Sequence, residues 1–171
     1  MALIKLNNNS ISAVSALPAA IDTGKVGQVV QQEYATAVAM SSTSYADNGQ
    51  TLAITPSATS SKILVMVETQ FQVYGNGNDS NYGAYTKIVR TPSGGSAVDA
   101  FINPDVMLRV WNGYTGNSYL MDRLNITHLD SPSTTSEVTY KIQQKATSAS
   151  IQITSQIGSG KSKLTLVEIL A

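Results

Sequence analysis

Hydrophobic residues along this chain recur at every second position. In KILVMVETQFQVY (residues 62–74), Ile63, Val65, Val67, Thr69, Phe71 and Val73 share one phase. Successive side chains of a strand point to opposite faces, so this phase marks one buried face. Leu64 and Met66 hold the other phase, so the first half of the strand is expected to be buried on both sides. Further β-type runs are VGQVVQQEY (26–34), continuing from Tyr34 to Met40, TLAI (51–54), YTKIVRT (85–91) and AVDAFI (97–102). VMLRVWNGYTGNS (106–118) carries an Asn112-Gly113 hairpin signal. In YLMDRLNITHLD (119–130), Leu120, Asp122, Leu124, Ile126 and His128 fall on one face. VTYKIQQ (138–144), SIQITSQI (150–157) and KLTLVEIL (163–170) complete the set.

Turn-forming clusters separate these runs: Thr55-Pro56, GNGNDSNYG (75–83), PSGG after residue 91 and SPSTTS (131–136). About eight to ten short strands at this spacing predict an all-β sandwich or barrel. The polar-out alternation predicts antiparallel pairing, and the strand number predicts a jelly-roll-like β-sandwich. No solenoid-length repeat and no heptad pattern is present.

Residues 1–24 follow another pattern. Leu3, Ile4, Leu6, Ile11, Val14, Leu17 and Ile21 are interspersed with small polar residues, and Pro18 and Gly24 punctuate the end. Val14, Leu17 and Ile21 lie three and four residues apart, the spacing of a helical turn. So short a segment does not hold a helix by itself. It is expected to be an extended N-terminal arm whose apolar residues dock on another surface, with residues 25–171 forming the sandwich domain.

Charge narrows the function. Only 13% of the 171 residues are charged, with 11 basic and 11 acidic side chains and a formal net charge of zero. No basic field is available to neutralise phosphates, so no nucleic-acid partner is expected. Low net charge also removes the self-repulsion that keeps copies apart. No run approaches the roughly 20 apolar residues of a membrane span, and no signal peptide is read at the start. A protein made and kept in the cytosol until it is assembled is the simplest expectation.

Candidate chemistry is sparse. There is no cysteine and one histidine, His128, whereas transition-metal sites favour several such ligands. His128 reads as a strand residue beside Asp130, and no G-x-S-x-G elbow occurs. GNGNDSNY (75–82) has the look of a calcium loop but offers one carboxylate, Asp79. GSGKS (158–162) departs from a phosphate loop, because Ser155 stands where the first glycine belongs and a strand follows. Asp99, Asp105 and Asp122 are isolated acids, not a paired set. No catalytic residue, metal or cofactor is expected. The aromatics Tyr74, Tyr82, Tyr85, Trp111, Tyr114 and Tyr119 concentrate among glycine and asparagine. They are expected on outward loops, as contacts to sugars or protein.

ALIKLNNNSISAVSALP with GKVGQVVQ, TPSATSSKILVMVETQF, HLDSPSTTSEVTYKIQ and SKLTLVEIL, in this order and spacing, resemble short structural proteins of tailed bacteriophages, particularly of marine and cyanobacterial hosts. The resemblance covers most of the chain. It implies a non-enzymatic virion component with a jelly-roll domain that forms homotrimers. Such domains occur as capsid decoration or cement proteins, head fibres and tail-fibre tips. It implies docking of residues 1–24 on other virion proteins, the major capsid protein first. It gives no catalytic residues to carry over. GNGNDSNYG and WNGYTGNSY depart from the family, which leaves binding of a host-surface glycan open. A receptor-binding tip of a fibre or head appendage is the alternative.

Overall fold

A computed structural model describes residues 25–76, 82–103, 108–110, 117–158 and 160–170. Eleven strands are found among them: β1 (Val26–Tyr34), β2 (Val38–Met40), β3 (Ala46–Ile54), β4 (Lys62–Asn76), β5 (Tyr82–Pro92), β6 (Val98–Ile102), β7 (Leu108–Val110), β8 (Asn117–Asp130), β9 (Val138–Ala146), β10 (Ile151–Ser155) and β11 (Ser162–Ile169). The run expected to continue through Met40 breaks after Tyr34, and β2 joins a different neighbour. The Asn112-Gly113 turn and residues 1–24 lie outside the described residues.

Each sheet has one long strand as its spine. In the first, β8 pairs with β4 from Ile63↔Asp130 to Asn76↔Asn117. The opposite edge of β4 is divided: β11 pairs with Lys62–Glu68 and β10 with Phe71–Gly75. β1 extends the sheet beyond β11, and β2 beyond β10. In the second sheet β9 pairs with β5 from Ala84 to Pro92, and the other edge of β5 is shared by β6 and β7. β3 lies beyond β9. All these pairings are antiparallel. Two four-stranded arrays, β1-β11-β4-β8 and β3-β9-β5-β6, thus face each other across a core. This is the double-sheet arrangement of a jelly roll.

The alternation read from sequence is what fills that core. Ile63, Val65, Val67, Thr69, Phe71 and Val73 all point inward and are buried. Ile63, Val65 and Val67 pack with Tyr140, Ile142 and Ile88 of the second sheet, and Phe71 and Val73 with Ala84 and Ala146. The apolar core is in two clusters, one around Val65, Tyr140 and Leu166 and one around Phe71, Ile151 and Ile153.

Buried polar residues lie near the division of the β4 edge. Thr69 and Gln70 of β4 fall between the stretches paired with β11 and β10. A buried backbone group without a partner is costly, so side chains and turns supply what the ladder does not. Ser162 Oγ accepts from Gln70 N at 2.9 Å, and Gln156 N donates to Gln70 O at 2.8 Å. The buried Gln50 amide donates to Glu68 O and Lys163 O at 3.2 and 3.1 Å and accepts from Thr69 Oγ1. Beside it, Ser155 Oγ donates to Gln144 Oε1 at 2.6 Å.

Two carboxylates tie parts of the sandwich together. Asp130 of β8 accepts from Arg90 Nη1 of β5 at 2.5 Å and from Tyr140 Oη of β9 at 2.8 Å, which links the two sheets. Burial, with the Asp130 charge beside it, pushes the Tyr140 phenol well above its ordinary range. Glu168 of β11 accepts from Ser57 N at 2.6 Å, Ser57 Oγ at 2.7 Å and Gln28 Nε2 at 2.8 Å. These bonds pin the β3–β4 connection and the β1 bulge to the last strand. Burial alone would raise the Glu168 pKa, but the Ser57 and Gln28 donors prevail and hold it at about 2.

Candidate interaction surface

The outward phase of the first sheet is where the chain departs from a simple half-buried pattern. Register places Val29, Val167, Leu64 and Leu129 side by side on β1, β11, β4 and β8. They make an apolar stripe that crosses all four strands. Val26 and Ile169 flank it on one side, and Met66 with Thr165 on the other. Val26, Val29, Met66, Tyr119, Met121 and Leu129 are between 44% and 64% exposed. They account for six of the eight exposed large hydrophobic residues described, the others being Val98 and Ile102 on β6.

The expectation that the first half of β4 is buried on both sides is therefore corrected. Leu64 is half-buried and Met66 is exposed, because no described residue forms a second layer over this face. Covering a half-exposed valine, leucine or methionine releases on the order of 1 kcal/mol. A contiguous patch of such residues marks a contact surface.

Two features bound the stripe. Beyond Met66 comes a charged row, Glu33, Lys163 and Glu68 in register on β1, β11 and β4. Arg123 pairs with Glu68, and Lys161 with Glu33 at 2.6 Å. A hollow of about 330 Å³ opens between stripe and charged row, lined by Met66, Gln31, Glu68, Asn125, Thr127 and Lys163 among others. At the far end of the same face Tyr74 and Tyr119 are opposed across β4 and β8, ring centroids 4.9 Å apart and tilted by 35°. Exposed Met121 follows two residues on from Tyr119.

The outer face of the second sheet is built otherwise. Lys145 lies over the rings of both Tyr45 and Tyr85, at 4.9 and 4.7 Å from their centroids, and Lys87 over Tyr45 at 4.8 Å. Lys87 also pairs with Asp99 at 2.7 Å, and Lys141 with Asp47 at 3.0 Å. Hydrogen bonding from Gln143, joined by Lys141, holds the Asp47 carboxyl below its usual range. Charges and rings on this face are matched to one another.

The expected contact residues thus separate. Tyr74 and Tyr119 are brought together, but on strands rather than loops, and on the first sheet. Tyr85 stands on a strand of the opposite sheet under Lys145. Tyr82 begins β5, and Trp111 and Tyr114 lie outside the described residues. The arm residues Leu3, Ile4, Leu6, Ile11, Val14, Leu17 and Ile21 also lie outside them. Tyr45 and the stripe partners Val29, Val167 and Leu129 were not singled out by sequence. Their signal was present, as apolar residues in the outward phase of otherwise alternating strands.

Other candidates resolve structurally. The His128 ring packs on Phe101 at 5.3 Å. Asp99 is paired with Lys87, and Asp122 Oδ1 accepts from Arg123 N at 2.7 Å. Asp79 and Asp105 lie outside the described residues. In GSGKS, Gly158 has φ +66°, a conformation side chains disfavour. A Cβ at Gly160 would fall 1.0 Å from Gln70 Oε1. Both glycines therefore serve the turn into β11. Among the described residues no three of His, Cys, Asp and Glu gather as a metal site would require.

Strand order and faces define the class: an antiparallel jelly-roll sandwich with one apolar outer face. No family model matches the sequence, and no curated protein matches it. Among solved structures, the chain is similar to a chain in the structure of infectious bursal disease virus Gx strain, with a TM-score of 0.30 and 9% identity over 85% of this chain and 43% of that one. It is likewise similar to one from the Gt strain, with a TM-score of 0.30 and 12% identity over 99% and 54%. The chain spans about half the length of these structures.

Proposed function

We propose that this chain is a non-enzymatic structural protein of a bacteriophage virion: a trimeric decoration or cement protein, assembled in the host cytoplasm, that binds the major capsid protein through residues 1–24. The observation that carries this reading is the apolar stripe across β1, β11, β4 and β8. A surface of that kind works by association, not by bond-making chemistry. The phage-like segments of the sequence support the virion setting. Multivalency supports the mechanism, since linked arms in one oligomer gain avidity by effective concentration. Deleting residues 2–24 is expected to leave a folded domain that no longer binds particles. Full incorporation of the truncated protein would refute the arm's role.

A receptor-binding tip is the second reading, and the Tyr74–Tyr119 pair favours it. The paired rings beside Met121, Tyr119 exposed and Tyr74 half-buried, can stack on a sugar or anchor a protein contact. Loss of host-cell or glycan binding in Tyr119→Ala, with particle incorporation intact, would select it.

A further inference from the structure

We infer that the outer face of the first sheet is covered by the N-terminal segment of its own chain, with Val14, Leu17 and Ile21 laid on the Val29–Val167–Leu64–Leu129 stripe. This rests on the reading of residues 1–24 as a docking arm and adds a second state to it: seated on its own domain before it reaches a partner.

The place where the described chain begins is the first support. Leu170 N donates to Lys25 O at 2.6 Å, so the chain is fixed there at the end of the β1–β11 ladder. Val26 and Val29 follow directly, at the near end of the stripe. Ile21 is four residues from Lys25 and Leu17 eight. At 3.3–3.6 Å per extended residue, they reach roughly 13 and 27 Å. Four strands about 4.8 Å apart make a stripe roughly 15 Å across. The segment therefore spans it without strain, and Gly24 is the residue type that tolerates the reversal needed.

Chemistry is the second support. Residues 6–21 contain no charged side chain. They gain nothing from the lysine–carboxylate pairs of the second sheet and cost little to desolvate on an apolar surface. Val14, Leu17 and Ile21 supply large apolar side chains for the stripe beneath. The hollow beside Met66 offers a socket for one of them. Tethering decides between this face and that of a second copy. A short flexible link gives an effective concentration on the order of millimolar, far above that of a dilute protein.

The test uses the full chain with a photoreactive benzophenone side chain replacing Leu17. After irradiation at micromolar protein, adducts are separated by size and mapped by mass spectrometry. Linkage to residues 62–66 or 125–129 within single chains is expected, exceeding linkage between chains by roughly a hundredfold. Met66→Lys with Leu129→Lys should abolish it. Adducts mainly between chains, adducts on the second sheet, or no adduct would each overturn the inference. Particle binding is measured separately on the same protein. If the intrachain adduct forms and particles ignore even the unlinked protein, the virion reading fails while this one stands.

Discussion

The two outer faces of the sandwich differ in how far each satisfies itself. On the second sheet, Lys145 and Lys87 lie over tyrosine rings, and Lys87 and Lys141 pair with Asp99 and Asp47. Of the large hydrophobic residues described on this sheet, only Val98 and Ile102 of its edge strand β6 are exposed. On the first sheet, Val29, Met66 and Leu129 stand exposed around a row of half-buried neighbours. Water cannot complete that surface. The inner faces of both sheets obey the same period-two rule, so fold demands do not explain the difference. It is a property of the outward positions alone, and those positions are where association is encoded.

The comparison holds only if the faces report on contacts and the interior reports on stability. The interior should therefore give the largest effect. Asp130→Ala strips Arg90 and the buried Tyr140 hydroxyl of their common acceptor. Removing one partner of a buried, hydrogen-bonded charge costs about 3–5 kcal/mol. Urea unfolding is expected to show a loss near the lower end, because Arg90 keeps its bond to Ser131 O at 3.1 Å. A loss under 1 kcal/mol would mean the two sheets are not joined there.

Acid gives the next largest effect. The Glu168 pKa is held at about 2 in the folded protein, against an ordinary 4.5. Its contribution is complete above pH 4.5 and drains away as pH falls from there to about 2. The full span is about 3 kcal/mol. Unfolding measured from pH 6 to 2.5 is expected to start with the parent more stable than Glu168→Gln and to converge as pH falls, the parent losing more. Parallel curves would show that the Ser57 and Gln28 bonds do not stabilise the ionised form.

How far sequence could see this molecule follows from where each signal resides. The inward phase of β4, β9 and β11 was readable because every second residue is buried. Leu64 and Met66 were readable as anomalies in the same way. Within the described residues the reading changes with context: a strand apolar on both faces is doubly buried only where a second layer covers it, and no described residue covers this face. The buried Gln50, Gln144 and Ser155 were illegible, since polar residues in a strand pattern imply solvent; Thr69 was readable only because it sits in the buried phase of β4. Only the divided edge of β4 gives them a reason to be inside. The Tyr74–Tyr119 pair depends on register between strands more than 40 residues apart, which no local pattern carries. Tyr45 was missed for the same reason, its partners being on β5 and β9.

A smaller effect is expected from the second face. Lys145→Ala removes a cation lying over two rings. Exposed contacts of this kind contribute roughly 0.5–1 kcal/mol each, so a urea-midpoint shift equivalent to about 1 kcal/mol is expected. Association and particle binding should not change. If they do, this face is also an interface, and the contrast between the sheets disappears.

The smallest effect on stability is expected where the effect on association is greatest. Met66→Lys with Leu129→Lys places two ammonium groups on the stripe, at positions already 44% and 47% exposed. Lysine keeps its stem on the apolar surface and its charge in water, so unfolding should shift by no more than about 0.5 kcal/mol. The contact surface, by contrast, is destroyed. Deleting residues 2–24 should raise binding of an apolar dye and self-association, because the stripe is then bare. The two lysines should return both to the level of the full chain. Restoration without a stability change would place the stickiness on Val29, Val167, Leu64 and Leu129. If the truncated protein stays sticky with the lysines in place, the exposed Val98 and Ile102 on β6 become the contact instead.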